Sequence, residues 1–428
     1  MTLAVLVLVF IVTMAMGIPI AFVFGIGSIL YFVFFSNIPI TIIGQQLYNG
    51  VDSFVLLAIP FFILAGQLMN RTGITKDLVA FVQVLVGRLP GALAQVNIVV
   101  SILFAGLTGA AVADTAAIGS ILIPAMKKEG YTPAYSAAVT TASSIIGPII
   151  PPSIIMVIYG TITGESIGAL FMAGFVPGVM IGLGLMGLAL IYALKENHPR
   201  RTEPVPMPEV LKRTKSAIIG LIMPIIIIGG ILSGKFTATE AASLACGYAF
   251  IIGIVVYRSL TFKDILESLL ECAVVSSVIL LIICTAKLFG MVLTIERIPT
   301  QIAQMMMSIT ENKILFLLLV NVFLLFMGMI METGANIILL APILLPLAVK
   351  YGVHPLHFAL IMIVNVNIGL TTPPLGVCLF TAAPIAKTSY ESIALKVLPF
   401  VAMEILVLLL ITYVPDIVLV VPRLTGFL

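Results

Sequence analysis

Two proline pairs are the residues of this chain with the plainest chemical consequence: Pro151-Pro152, ending GPIIPP (147–152), and Pro373-Pro374, ending GLTTPP (369–374). A proline ring removes a backbone donor and pushes the residue before it out of helical geometry, so a helix passing through either pair is interrupted. Inside hydrocarbon, an interruption frees carbonyl oxygens, which suit a hard cation such as Na+, and starts a half-helix whose positive amino end suits an anion. The duller alternative is a kink in a packed helix. Two pairs at equivalent places, each with a glycine four residues before the first proline (Gly147 and Gly369), favour binding.

Polar residues gather around these pairs where little else is polar. Ser143 and Ser144 precede the first, and Asn365, Asn367, Thr371 and Thr372 surround the second. Two further polar islands interrupt long apolar runs: TGAAVADT (108–115) offers Thr108, Asp114 and Thr115, and METGAN (331–336) offers Glu332, Thr333 and Asn336. Intramembrane carboxylates are expensive and usually functional. These oxygens, with Gly147 and Gly369, form the candidate Na+ sites, and Ala113, Ala335, Pro151, Pro152, Pro373 and Pro374 are candidate substrate contacts. A structural alternative stands beside this reading, because Asp114 or Thr115 and Asn336 also sit where they would cap the helix that follows. Glu332 precedes its helix less neatly, which favours cation binding or holding of the turn over capping. Asn365 and Asn367 are two apart and share no helical face, so at least one orders the break. Lys287 and Glu404 lie outside this core, and snorkelling, pairing within a scaffold or meeting a partner subunit all fit them better than substrate contact.

The elements that must position these residues follow from composition. Of 428 residues, 61% are hydrophobic and 9% charged, and mean hydropathy is +1.25, against roughly a quarter charged in a soluble domain. In lipid each apolar stretch satisfies its own backbone as a helix, so the expectation is an all-α polytopic membrane protein. Spans are expected at 3–16, 18–35, 46–69, 133–160, 168–193, 217–233, 239–257, 268–292, 355–383 and 390–414. The stretches 93–129 and 313–350 are too long for one crossing and are interrupted midway, which reads as two re-entrant hairpins. Before each lies an amphipathic surface arm, 74–88 and 297–309.

Residues 106–152 match 328–374 at a constant offset of 222 without a gap, pairing Gly106 with Gly328, Ala113 with Ala335, Pro124 with Pro346, Gly130 with Gly352, Pro133 with Pro355 and the two GxxxPP segments. The basic linker 194–216, with Lys195, Arg200, Arg201, Lys212, Arg213 and Lys215, reads as cytoplasmic. Counting outward from it gives the two copies opposite orientations, an inverted-topology repeat. The domains are therefore 1–193 and 217–428, joined by that linker, with broken helices at 133–160 and 355–383.

Other chemistries lack a basis. The four cysteines are isolated in apolar surroundings, His354 and His357 have no third ligand, and neither HExxH nor a Walker A motif occurs. Formal net charge is only +3, with basic residues confined to loops, so nucleic acid is not an expected partner. The opening apolar run has neither a basic start nor a cleavage site, which argues against a removable signal peptide.

The motifs LLAIPFFILAGQLMN (56–70), GAAVADTAAIGSILIPAMKKEGY (109–131), IIPPSIIMVIYG (149–160), LFMAGFVPG (170–178), FTATEAA (236–242) and GLTTPPLG (369–376) resemble the large membrane subunit of tripartite ATP-independent periplasmic (TRAP) transporters, over nearly the whole chain. The resemblance implies a transporter of the bacterial inner membrane and not an enzyme. It implies Na+-driven uptake, with two or more ions, of a carboxylate-bearing solute such as a C4-dicarboxylate, sugar acid or sialic acid. It further implies delivery by a periplasmic binding protein, a separate small four-helix membrane subunit, and an elevator motion of hairpins and broken helices against a scaffold. The two sodium sites of the family lie between each hairpin tip and its broken helix, here 108–115 with 143–150 and 331–336 with 365–372. A related hairpin-bearing Na+/carboxylate symporter needing no binding protein is the alternative.

Overall fold

The computed structural model describes residues 2–200 and 205–428, with side chains from Leu8 onward, and all regular structure among them is helical. Arg201 of the basic linker lies outside the described residues. The chain opens with α1 (Thr2–Ala15), α2 (Ile20–Phe34), α3 (Thr41–Val51), α4 (Ala58–Thr72) and α5 (Ile74–Val86). A helical hairpin follows, α6 (Ala92–Thr108) and α7 (Ala111–Lys128), and then two half-helices, α8 (Pro133–Ser144) and α9 (Ile154–Thr163), and the long α10 (Ile167–Lys195). The second half contains α11 (Met207–Leu232), α12 (Ala238–Ile251), α13 (Phe262–Ile295) and α14 (Ile298–Ile309). Its hairpin is α15 (Lys313–Ile330) with α16 (Thr333–Lys350), its half-helices are α17 (Pro355–Gly369) and α18 (Val377–Ala386), and α19 (Tyr390–Tyr413) and α20 (Asp416–Leu424) complete the chain. Eight helical stretches among the described residues are long and apolar enough to cross a membrane.

Local chemistry sets the boundaries around the site. Each hairpin turns into its first half-helix through a glycine at positive φ, Gly130 or Gly352, and a proline in the first helical turn, which fits a missing backbone donor. Thr132 caps α8 by accepting from the Tyr135 amide, and His354 caps α17 by accepting from Leu356 at 3.2 Å. His357 is buried with its Nε2 2.8 Å from the Ile411 carbonyl, so the two histidines serve helix ends and packing. The helix boundaries also recur along the chain, with α7 and α16 displaced by 222 residues at both ends.

Three expectations are corrected. The stretch 46–69 is not one crossing: α3 stops at Val51, and after Asp52 and Ser53 the chain makes a single 3-10 turn, Phe54–Leu57, before α4. Its counterpart α13 runs unbroken for 34 residues, roughly 50 Å of helix, so it extends past or tilts within about 30 Å of hydrocarbon. The linker expected at 194–216 is shorter, because α10 runs to Lys195 and α11 already begins at Met207, and α20 is a terminal helix not expected from hydropathy. In the packing, α13 lies against α2, α3, α4 and α16, and the second half of each broken helix crosses to the opposite hairpin: α9 packs on α16, and α18 on α7.

Candidate functional site

Both proline pairs interrupt their helices. α8 ends at Ser144 and α9 starts at Ile154; α17 ends at Gly369 and α18 starts at Val377. Each pair is joined by a cis peptide bond. Ser153 shapes the first break by donating to the Pro148 carbonyl at 2.6 Å and accepting from the Met156 amide at 3.2 Å, so it caps α9.

The hairpin tips meet these breaks. α6 ends at Gly109 with φ +63°, and a Cβ there would lie 2.8 Å from the Pro152 carbonyl oxygen, so only glycine makes both the turn and the approach. Tips and breaks together line one cavity of about 170 Å3. Gly109 and Ala110 come from the first tip, Glu332 and Thr333 from the second, Pro148, Asn367 and Leu370 from the breaks, and Val275, Ile279 and Ile282 of α13 close one side. The amino ends of four helices reach it, at Ala111, Ile154, Thr333 and Val377. Among the described residues no lysine or arginine lines it, so the positive partial charge that reaches it comes from the backbone ends of these helices, beside the Glu332 side chain.

Behind the first tip, Asp114 is fully buried. Its Oδ1 accepts from the Thr108 hydroxyl, while Oδ2 has no hydrogen-bond partner and points at Gly147. Thr115 donates to Ser144 at 2.8 Å, and Ser144 donates onward to the Thr141 carbonyl. Behind the second tip, the Asn336 amide nitrogen donates to the Met327 and Met331 carbonyls at 3.1 and 3.0 Å, closing the end of α15. Its Oδ1 is buried without a partner. Thr333 lies 3.3 Å from the Asn367 carboxamide oxygen. The matched residues Asp114 and Asn336 thus each leave one buried oxygen unpaired, a state that costs about 1–3 kcal/mol unless something polar meets it. Oxygen donors of this kind fit a hard monovalent cation.

The capping alternatives are corrected. α7 starts at Ala111 with no side-chain cap, so Asp114 and Thr115 lie within its first turns, as Asn336 does in α16. The cap of α16 is Glu332, exposed and accepting from the Ala335 amide at 3.3 Å. Other expected residues have a riveting geometry: Ser143 accepts from Ser101 at 2.9 Å and donates to Asn97, while Asn365 donates to Asn321 at 2.9 Å. Each ties a half-helix to the first helix of its hairpin, though Asn365 Oδ1 stays unpaired. Thr371 and Thr372 donate to the Ile368 carbonyl. None of the six candidate substrate contacts lines the cavity. Ala335, Pro151 and Pro152 are buried, Pro373 and Pro374 lie toward the surface, and Ala113 faces a different crevice.

Asn97, Ser101, Asn321 and Ser153 were not singled out from the sequence. The signal was available for Asn97 and Asn321, since a carboxamide within an apolar helix needs a partner there.

From residue 7 to residue 417 the chain matches the family described as "Tripartite ATP-independent periplasmic transporter, DctM component". The chain belongs to this family. As a TRAP large permease it is a multi-pass protein of the inner membrane. It is 41% identical to the isethionate TRAP transporter permease protein DctMQ of Oleidesulfovibrio alaskensis, a match covering 94% of this chain and 64% of that longer protein. It is 37% identical to the sialic acid TRAP transporter large permease protein SiaM of Vibrio cholerae, covering 95% of each. Its fold is similar to that of the YdaH transporter of Alcanivorax borkumensis, with TM-score 0.61 at 15% identity over 92% of this permease and 90% of that chain.

Proposed function

We propose that this permease is the large membrane subunit of a Na+-coupled symporter that imports an organic acid delivered by a periplasmic binding protein, together with a separate small four-helix membrane subunit. The observation that carries the reading is the convergence of two hairpin tips, two helix breaks and four helix amino ends on one cavity. Four positive helix ends suit the acid group of a solute without a basic side chain to hold it permanently. The unpaired oxygens of Asp114 and Asn336, one behind each tip, suit Na+. The names of the relatives, isethionate and sialic acid, share an acidic group, which is the chemistry such a cavity would select.

In this reading 1–193 and 217–428 are inverted halves, the hairpins are re-entrant, and the linker 194–216 is cytoplasmic. α6–α7 then opens inward and α15–α16 outward. The hairpins with α8, α9, α17 and α18 move as one body against α4 and α13, carrying solute and ions across by an elevator mechanism. Reconstituted vesicles containing both membrane subunits test it. Uptake of a labelled organic acid should require an inward Na+ gradient and the loaded binding protein. Uptake of free solute without either component overturns the tripartite reading, and uptake indifferent to Na+ overturns the coupling.

A further inference from the structure

Two crevices flank the central cavity at matched places on the two hairpins. Ala116 and Ser120 of α7 line one, of about 520 Å3; Ile338 and Pro342 of α16, each 222 positions later, line the other, of about 460 Å3. The second shares Ile338 with the central cavity, and α13 walls both. It is the more distinctive of the two, because an intramembrane cation opens onto it. Lys287 sits about two turns before the end of α13 at Ile295. Lys287 is exposed, and it makes no ion pair among the described residues.

The walls around Lys287 are built for water and polar solute. Gln46 and Asn49 lie one turn apart on α3, Ser53 follows its end, and Thr294 stands two turns along α13 from the lysine. Gly50 brings this face close: a Cβ there would lie 2.7 Å from the Cys284 Cα and 3.2 Å from the Lys287 Cβ. A lysine serving only to snorkel needs no such polar companions. Lys287 is the one charged side chain lining the crevice among the described residues. A cleft of one sign between low-dielectric walls concentrates the opposite charge, by about tenfold or more.

We infer that the crevice between α3, α13 and α16 is an anion-binding vestibule, in which Lys287 captures the acid group of the solute before it reaches the cavity at the hairpin tips. The inference rests on the transport reading above, in whose orientation this crevice is the periplasmic mouth. It supplies what the central cavity lacks, a full positive charge, at a point the solute leaves again.

Charge-selective labelling tests it without any need for transport. Cys246, Cys272 and Cys378 are buried, so the background replaces only Cys284 with Ser. A reporter, Thr294→Cys, is introduced into the full-length chain. In right-side-out membrane vesicles it is reacted with impermeant methanethiosulfonates, one anionic (sulfonatoethyl) and one cationic (trimethylammonioethyl). The anionic-to-cationic rate ratio should fall about fivefold on adding Lys287→Met and recover with Lys287→Arg, since the field follows the charge. A second reporter, Ser53→Cys, repeats the test if the first variant does not accumulate. A ratio unchanged by Lys287→Met overturns the inference, as does labelling confined to inside-out vesicles or absent from both. If the ratio falls as expected while Na+-driven uptake fails, the vestibule stands and the symport reading is the one lost.

Discussion

The two hairpin-and-break units share spacing but not chemistry. In the first, Gly147 has no side chain because the Asp114 carboxylate occupies that space: a Cβ would sit 2.0 Å from Oδ2. In the second, the matched Gly369 is needed because hairpin backbone occupies it, with a Cβ placed 2.3 Å from the Gly328 carbonyl carbon. One unit therefore seats a carboxyl side chain against its break, and the other packs main chain on main chain with a carboxamide, Asn336, as the counterpart of Asp114. The tips differ likewise. The first turns on Gly109 and leaves α7 uncapped, whereas the second turns without glycine and caps α16 with Glu332. A repeat can thus keep one geometry while differing in the groups that fill the space beside each break.

The sharpest break of this comparison is Gly369→Ala. Its methyl group meets backbone that cannot rotate away, so the cost should reach the upper range of overpacking, about 3 kcal/mol. This reads as a clear drop in the thermal midpoint of the detergent-solubilised permease. Gly147→Ala should instead leave the midpoint near wild type and weaken Na+ activation by displacing Asp114. Equal behaviour of the two variants would erase the distinction.

Replacing Pro373-Pro374 by Ala-Ala restores two backbone donors and should let α17 and α18 join, with uptake reduced to about a tenth or less. Wild-type uptake would show that the second break is dispensable. Asp114→Ala removes an unpaired carboxyl oxygen and should raise the Na+ concentration for half-activation by about tenfold, near 1.4 kcal/mol. Asn336→Ala should raise it only about threefold, as expected of a neutral ligand. Sodium titrations of uptake at matched expression check both, and an unchanged midpoint removes that residue from its site.

The smallest effect on uptake belongs to Glu332→Ala, which loses a helix cap worth about 1 kcal/mol of stability. Uptake and its Na+ dependence should persist, with a modest loss of thermal stability. A large shift in Na+ activation would make Glu332 a ligand despite its exposed position.

Much of this arrangement was legible in the sequence because it is local. The breaks follow from missing donors and fixed φ at proline, and the hairpins from runs too long for one crossing. The division of α3 from α4 was missed, although Asp52 and Ser53 mark it, because apolar sequence on both sides satisfies a hydropathy window. The roles of Glu332 and Asn336 were exchanged for a similar reason. Which residue caps a helix depends on where the preceding turn ends, and a shift of a few residues moves the cap.

By itself the sequence determined the helical class, the repeat at 222 residues and the positions of both breaks, since each depends on neighbours within a few residues. Only the tertiary structure decided which oxygens stay unpaired. Ser143 is fully tied to the first hairpin helix, while Asp114, Asn336 and Asn365 each keep a free oxygen, and that choice is made by helices whose approach no local pattern encodes.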